Sequence, residues 1–325
     1  MNIALIAGGY SGEYSVSLRS QKALMGFLSH SPYNIYSVVI RRGEWVVTDR
    51  KEYTIDKNDF SFVTDEGKRV AFDYAYITIH GTPGEDGLLT GYLDMMGIPY
   101  SCCRTLVGAL TFDKFTCTHF LRSFGIHVAE SRRVYRSDIG RIGALAKEIG
   151  LPVFIKPNTG GSSIATTRVD EENELEEALR IGFQESDVLL MERLLIGTEI
   201  TCGCYKDKAG IHVLPITEVV TDNTFFDYDA KYNGQVQEIT PARLADTMAD
   251  KIRDLTREIY QLLDASGIIR VDYIIQQDVP YVLEVNTTPG MTETSFIPQQ
   301  VRAAGLDMSQ VLTDIIEYQV ELAQK

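Results

Sequence analysis

Residues 268–275, IIRVDYII, and 281–292, YVLEVNTTPGMT, read as two neighbouring strands, each broken by polar groups two positions apart. Period 2 puts Arg270 and Asp272 on one face of the first strand, and Glu284 and Asn286 on one face of the second. The surrounding residues are apolar, so these groups are bound for a shielded surface, where an unpaired charge is costly. Two carboxylates and an amide oxygen are hard donors, suited to Mg2+ that carries phosphates. Arg270 would then face a transferred phosphoryl group. A buried salt-bridge network on a sheet is the alternative these residues leave open.

Working outward, the chain divides into three units. In residues 1–102, the apolar run Ile3–Ala7 ends in Gly8-Gly9, as a buried parallel strand does when it enters a glycine turn. A helix is expected over Val16–Leu28, strands over Tyr36–Ile40 and Tyr74–Ile79, and a helix over Gly87–Met96. This alternation predicts a doubly wound, parallel-sheet α/β domain with ligands at the carboxyl ends of its strands. Gly8-Gly9 and His80-Gly81 fall at such ends. In residues 103–196, a helix is expected over Phe112–Phe124, then a strand near Val153–Lys156. A glycine loop (Asn158–Ser163), a strand (Ile164–Arg168), an acidic helix N-capped by Asp170 and a strand (Val188–Glu192) follow. Strand, glycine loop and strand make a hairpin; a Walker A motif would run into a helix. In residues 197–325 the reading gives strands over Glu199–Tyr205 and Ile211–Val220, a polar loop over Thr221–Thr240 and a helix over Ala242–Asp264. The two opening strands and a terminal helix from Asp307 complete the unit.

The 325 residues carry a formal charge of -14, which disfavours nucleic acid as a partner. A small anionic nucleotide is still compatible, because a few lysines and a metal override the global field locally. The cysteines, Cys102, Cys103, Cys117, Cys202 and Cys204, are odd in number and match no CxxC pattern, as expected of reduced thiols. The N-terminal MNIALIAGGY lacks a basic n-region, and no window approaches the length of a membrane span. A cytoplasmic protein without membrane contact is the expectation.

Three further segments carry possible chemistry. Lys156 ends an apolar strand and precedes PNTGGSSIA, whose backbone N–H groups can fold over phosphates; a surface turn is the bland reading. Lys114, in TFDKF, opens a helix and on its own is a solvated residue. HGTPGEDG, residues 80–87, fits either a cleft that presents His80 and Glu85 or a capping turn. Gly8–Glu13 lacks GxGxxG, which argues against a nicotinamide site.

Taken together, AGGYSGEYSVSL (7–18), HGTPGEDG, TFDK (111–114), KPNTGGSS (156–163), DYDAKY (227–232) and LEVNTTPGMT (283–292) resemble the D-alanine–D-alanine ligases, in order and over nearly the whole chain. The resemblance implies the ATP-grasp fold, in which central and C-terminal domains hold ATP between them. It implies joining of two D-alanines through a D-alanyl phosphate, for peptidoglycan synthesis. Lys114, Lys156 and Lys231 would hold ATP phosphates, Glu192 the adenine and Glu199 the ribose. Asp272, Glu284 and Asn286 would bind two magnesium ions, with manganese able to substitute. Arg270 and the Gly290 N–H would stabilise the tetrahedral oxyanion. Glu13 would hold the ammonium of the first D-alanine, with His80 beside it, and Ser295 the carboxylate of the second. Glu13, Ser162 and Tyr232 match positions that hydrogen-bond to one another and close the 221–240 loop against water. Tyr232 favours D-alanine over D-lactate as second substrate, and the resemblance implies a homodimer. Ala165 replaces a common glycine, so its Cβ would stiffen the phosphate loop. Gly160 and Cys102-Cys103 also depart from the usual pattern. The competing readings are a D-alanyl-D-lactate ligase and a non-catalytic nucleotide-binding protein; the intact Arg270, Asp272, Glu284 and Asn286 argue against the latter.

Overall fold

The computed structural model describes residues 1–49, 51–161, 165–221 and 236–324. Its first sheet has β1 (Asn2–Gly8), β2 (Asn34–Arg41), β3 (Glu44–Thr48), β4 (Glu52–Thr54) and β7 (Tyr74–Ile77), ordered β4-β3-β2-β1-β7. A small hairpin, β5 (Ser61–Val63) and β6 (Arg69–Ala71), lies apart from it. β1 runs parallel to both β2 and β7, as the alternating pattern requires, while β3 and β4 add an antiparallel edge. β1 is buried from Ile3 to Gly8, which explains its unbroken apolar run. One core beside this sheet gathers Ala4, Ile6, Val38, Ile77 and Leu93; another joins Ile3, Leu5 and Tyr74 to the terminal helix through Leu312, Ile315 and Ile316.

Helix α1 (Tyr14–Phe27) follows β1, and α2 (Leu88–Met96) follows the 80–87 turn. The single helix expected over Phe112–Phe124 is two helices, α3 (Thr105–Phe112) and α4 (Lys114–Ser123). They part at Asp113, whose carboxylate accepts from the Thr116 N–H as an N-cap and whose backbone is extended.

The second sheet runs β10-β9-β11-β8, from β8 (Ser131–Tyr135), β9 (Val153–Pro157), β10 (Thr167–Val169) and β11 (Val188–Arg193). The expected hairpin is present, with Thr167 opposite Ile155. Helices α5 (Ile142–Ile149) and α6 (Leu175–Glu185) pack on it through Leu145, Ile149, Leu175 and Leu179. Asp170 is not the N-cap of the acidic helix. A 3-10 turn, Glu172–Glu174, precedes α6; Glu171 caps the turn, and the Glu174 carboxylate reaches back to the Asp170 and Glu171 N–H groups.

The six-stranded third sheet runs β15-β14-β12-β16-β17, with β13 on β12. Its strands are β12 (Thr198–Asp207), β13 (Gly210–Val213), β14 (Thr217–Thr221), β15 (Val236–Ile239), β16 (Ile269–Gln276) and β17 (Val279–Asn286). The strand expected over Ile211–Val220 is thus two: the Leu214 N–H continues the β12–β13 ladder to the Gly203 carbonyl, and the register then slips by one residue before β14 pairs with Glu199–Thr201. The helix expected over Ala242–Asp264 is α7 (Asp246–Leu262), shorter at both ends. Helices α8 (Phe296–Ala303) and α9 (Met308–Ala323) complete the fold, with Asp307 capping α9 through the Ser309 N–H. All five cysteines are buried and free.

Candidate active site

The two opening strands form the floor of the site. From Gln276↔Val279 to Tyr273↔Val282, β16 and β17 pair in simple antiparallel register, which if continued would set Asp272 opposite Leu283. A bulge intervenes between Asp272 and Tyr273, so Asp272 faces Glu284 and Arg270 faces Asn286. Directly opposed residues share a face, so one extra residue brings both polar pairs onto the same surface. On the other side of β16, Thr201 lies opposite Asp272 and Gly203 opposite Arg270. The result is a row, Thr201–Asp272–Glu284, across three strands.

Arg270 grips Asp272 with both arms: Nε donates to Oδ1 at 2.8 Å and Nη2 to Oδ2 at 2.7 Å. Thr201 Oγ1 donates to Oδ1 at 2.6 Å, and Asn286 Nδ2 to Oδ2 at 3.1 Å. With side chains only 13% and 15% exposed, Arg270 and Asp272 are a largely desolvated, two-pronged pair. Burial pulls the Arg270 pKa down, but Asp272 outweighs it and the net shift is upward, so the guanidinium stays charged.

Lys114 approaches from the first turn of α4. Its Nζ donates to the Gly160 carbonyl at 2.7 Å and sits 3.2 Å from Glu284 Oε2. Burial works against its charge, the Glu284 carboxylate overcomes this, and its pKa is raised. Lys156, on β9, pairs at 3.1 Å with Glu192 on the adjacent β11. Each of these three cations is held against a carboxylate, as buried charge must be.

Glu13 stands at the head of α1, its N–H bonded to Ser11 Oγ, which itself donates to the His80 carbonyl at 2.7 Å. The β1 and β7 turns are thereby tied together. The Glu13 carboxylate lies against the glycine loop: a Cβ at Gly161 would fall 2.6 Å from its Oε2. His80 is 8% exposed, and its Nε2 is a buried polar atom without a hydrogen-bond partner among the described residues. Glu85 turns back to accept from the Gly81 N–H at 2.7 Å, so in this turn it is a staple. Ser295 is the residue before α8; its Oγ accepts from the Thr292 N–H and lies 2.7 Å from Thr292 Oγ1. A Cβ at Gly290 would meet that Oγ at 2.9 Å, so Ser295 sits directly on the Gly290 backbone.

These groups line two adjoining cavities. The larger, about 740 Å³, contains Lys114, Lys156, Glu192, Glu199, Arg270 and Asp272, with apolar walls that include Phe154, Leu195 and Ile274. The smaller, about 350 Å³, contains His80, Glu85, Asn286, Gly290 and Ser295. Glu13, Lys114, Arg270 and Glu284 border both. Of the residues expected at the site, Ser162, Lys231 and Tyr232 lie outside the described residues; all the others converge here.

The sequence reading missed Thr201, Phe296 and Arg19. Thr201 alternates with Glu199 on β12, a visible pattern, but only strand pairing shows that it meets Asp272. The Phe296 ring lies 5.3 Å beneath the Arg270 guanidinium. Arg19, three residues on from Val16 on the same face of α1, borders the smaller cavity. Ala165 takes a left-handed φ of 54°, the conformation that glycine adopts most cheaply.

The residues present suit a divalent cation. Asp272, Glu284 and Asn286 are oxygen-bearing side chains gathered on one face, and both carboxylates already engage positive groups. Among the described residues no cluster of three or more His, Cys, Asp and Glu forms a metal cage.

Two family models match the chain: the D-ala D-ala ligase N-terminus over residues 2–103 and the D-ala D-ala ligase C-terminus over 120–317. A D-alanine--D-alanine ligase of Porphyromonas gingivalis is 56% identical over 97% of this chain and 96% of its own. Among solved structures, the VanG D-Ala:D-Ser ligase from Enterococcus faecalis superposes with a TM-score of 0.86 at 28% identity, over 98% of both chains. The D-alanine--D-Alanine ligase from Bacillus anthracis complexed with ATP gives 0.78 at 27%, over 100% of this chain and 98% of that one. Sequence and fold agree along nearly the entire length, and the chain belongs to the D-alanine–D-alanine ligase family.

Proposed function

We propose that the larger cavity takes ATP, that the smaller takes two D-alanines, and that their shared border is where the reaction occurs. The protein is an ATP-dependent ligase that makes D-alanyl-D-alanine for cell-wall peptidoglycan. The carboxylate of the first D-alanine attacks the γ-phosphorus and ADP leaves, giving D-alanyl phosphate. The amine of the second D-alanine adds to that carbonyl, loses a proton, and phosphate departs. The observation that carries this reading is the border itself: Glu13, Lys114, Arg270 and Glu284 face both compartments, as a transfer from nucleotide to amino acid requires.

In this reading Lys114, Lys156 and Lys231 bind the phosphates, Glu192 the adenine edge and Glu199 the ribose. Glu13 pairs with the first ammonium, with the unpartnered His80 Nε2 beside it, and Ser295 exchanges Thr292 for the second carboxylate. Arg270, held in place by Asp272, and the Gly290 N–H stand ready for the developing oxyanion. Asp272, Glu284 and Asn286 would hold two Mg2+ ions, or Mn2+ in their place, which would supply neutralisation of phosphate charge. Ser162 and Tyr232 join Glu13 in closing the site.

We divide the chain into functional units at 1–102, 103–196 and 197–325, and assign it to the cytoplasm as a homodimer. Among the described residues no helix is long and apolar enough to cross a membrane. Light scattering should give twice the 36.4 kDa chain mass.

The test is phosphate release from Mg-ATP with D-alanine, with L-alanine, or with D-alanine plus D-lactate. D-alanine alone should release phosphate and yield the dipeptide by mass. Product only when D-lactate is added would reassign the enzyme to depsipeptide synthesis, and nucleotide binding without release would overturn the catalytic reading.

A further inference from the structure

Gln300 is fully buried in α8, and both its amide N–H groups and its carbonyl oxygen are hydrogen-bonded. Oε1 accepts from the Gly203 N–H at 3.0 Å, while Nε2 donates to the Thr201 carbonyl at 3.1 Å and to Thr217 Oγ1 at 3.0 Å. Every partner belongs to the third sheet, on β12 or β14. A buried glutamine satisfied this fully fixes one arrangement of the elements it joins.

What those elements carry gives the arrangement its meaning. Thr201 is the residue whose hydroxyl bonds to Asp272. Thr217 Oγ1 also lies 2.6 Å from Thr240 Oγ1, just after β15. On the helix, Phe296 is four residues before Gln300 and so on the same face, under Arg270; Ser295 immediately precedes it. A side chain at position 203 would collide with Gln300 Oε1 at 2.6 Å, so the helix seats closely against the strand there.

We infer that Gln300 is a positioning residue for the amino-acid side of the site: it sets the register of α8 on the sheet and thereby places Ser295 and Phe296 relative to Arg270 and Asp272. This rests on the assignment of the smaller cavity to D-alanine. Lys156 and Glu192 stand on β9 and β11 of the second sheet, away from the strands that Gln300 joins, so nucleotide binding should be spared.

The experiment compares Gln300→Met, which keeps volume and removes all three bonds, with Val301→Ala, a buried change on the same helix. Each is assayed for dipeptide synthesis with D-alanine varied at saturating Mg-ATP, for ATP affinity and for Tm. Gln300→Met should raise the acceptor KM for D-alanine roughly tenfold, the scale of a displaced positioning group, with ATP affinity within about twofold. Val301→Ala should lower Tm and leave that KM unchanged. Should Gln300→Met not fold, Thr217→Val removes one of the three bonds and should raise the same KM by about threefold. An unchanged acceptor KM in whichever glutamine-network variant folds would overturn the inference, as would equal loss of D-alanine and ATP binding. Failure of the wild-type protein to make dipeptide would instead remove the assignment on which the inference rests.

Discussion

Arg270 and Asp113 show how single residues in this protein combine structural and chemical demands. A lysine at 270 keeps the charge but cannot reproduce the two-pronged grip on Asp272. Arg270→Lys should therefore lower kcat about a hundredfold, in the range for a lost oxyanion donor, and leave ATP affinity nearly intact. Steady-state kinetics with isothermal titration separates the two; a parallel loss of ATP binding would mean that Arg270 serves only to hold Asp272. Asp113 gives a pH prediction. Burial pushes its pKa up, but bonds from Arg133, the Thr116 N–H and hydroxyl and Asn158 prevail, and it lies below its usual 3.8. A depressed carboxylate adds stability that is complete above the unfolded pKa and is lost as pH falls through the folded one. Denaturant titrations from pH 5 down to about pH 2.5 should show wild-type stability falling, and a shallower fall for Asp113→Asn.

At the scale of elements, the period-2 pairs in β16 and β17 were legible because side-chain alternation is a local property. That both pairs share a face was not, since it depends on a bulge at Leu283 that only pairing with β16 defines. The same limit hid Thr201 and Gln300, whose roles come from partners 71 and 83–99 residues distant. Boundaries failed where a local side chain competed with the helix: Asp113 split one helix in two, and Glu174 took over the capping expected of Asp170. The glycine hairpin was legible from the residue pattern itself, whereas Lys114, Lys156, Glu192 and Glu284, now seen to cluster, were expected to share a site only from the resemblance; Ser162, Lys231 and Tyr232 fall outside the described residues. Gly267 marks a junction that the sequence did not reveal. It has φ 69°, and a Cβ there would lie 1.8 Å from the Ser101 carbonyl, where the first unit meets the start of β16. Gly267→Ala should cost roughly 2–4 kcal/mol by chemical denaturation, since strain and collision add; a loss under about 0.5 kcal/mol would show that the junction yields freely.

Across the whole molecule, the site lies where three sheets meet, and three of its described cations are already committed: Lys114 to Glu284, Lys156 to Glu192, Arg270 to Asp272. A nucleotide entering without metal would bring further negative charge to Asp272 and Glu284, within a chain whose formal charge is -14. The lysines would then be divided between carboxylates and phosphates. In the proposed reading, divalent metal would remove that conflict by occupying the carboxylates, which would free Lys114 for phosphate. Binding to the folded state alone raises stability by RT ln(1 + [L]/Kd), about 2.7 kcal/mol at a hundredfold excess over Kd. For a chain of this size that is on the order of a 4 °C rise in Tm. Mg-ATP should produce a shift of this order, and ATP with EDTA less than half of it at the same concentration. Lys114→Met should narrow the gap between the two conditions, because Lys114 would no longer be there for metal to release from Glu284. Equal shifts with and without metal in the wild-type protein would show that Asp272 and Glu284 stay with Arg270 and Lys114 when nucleotide binds, and the two-metal assignment would fall with that result.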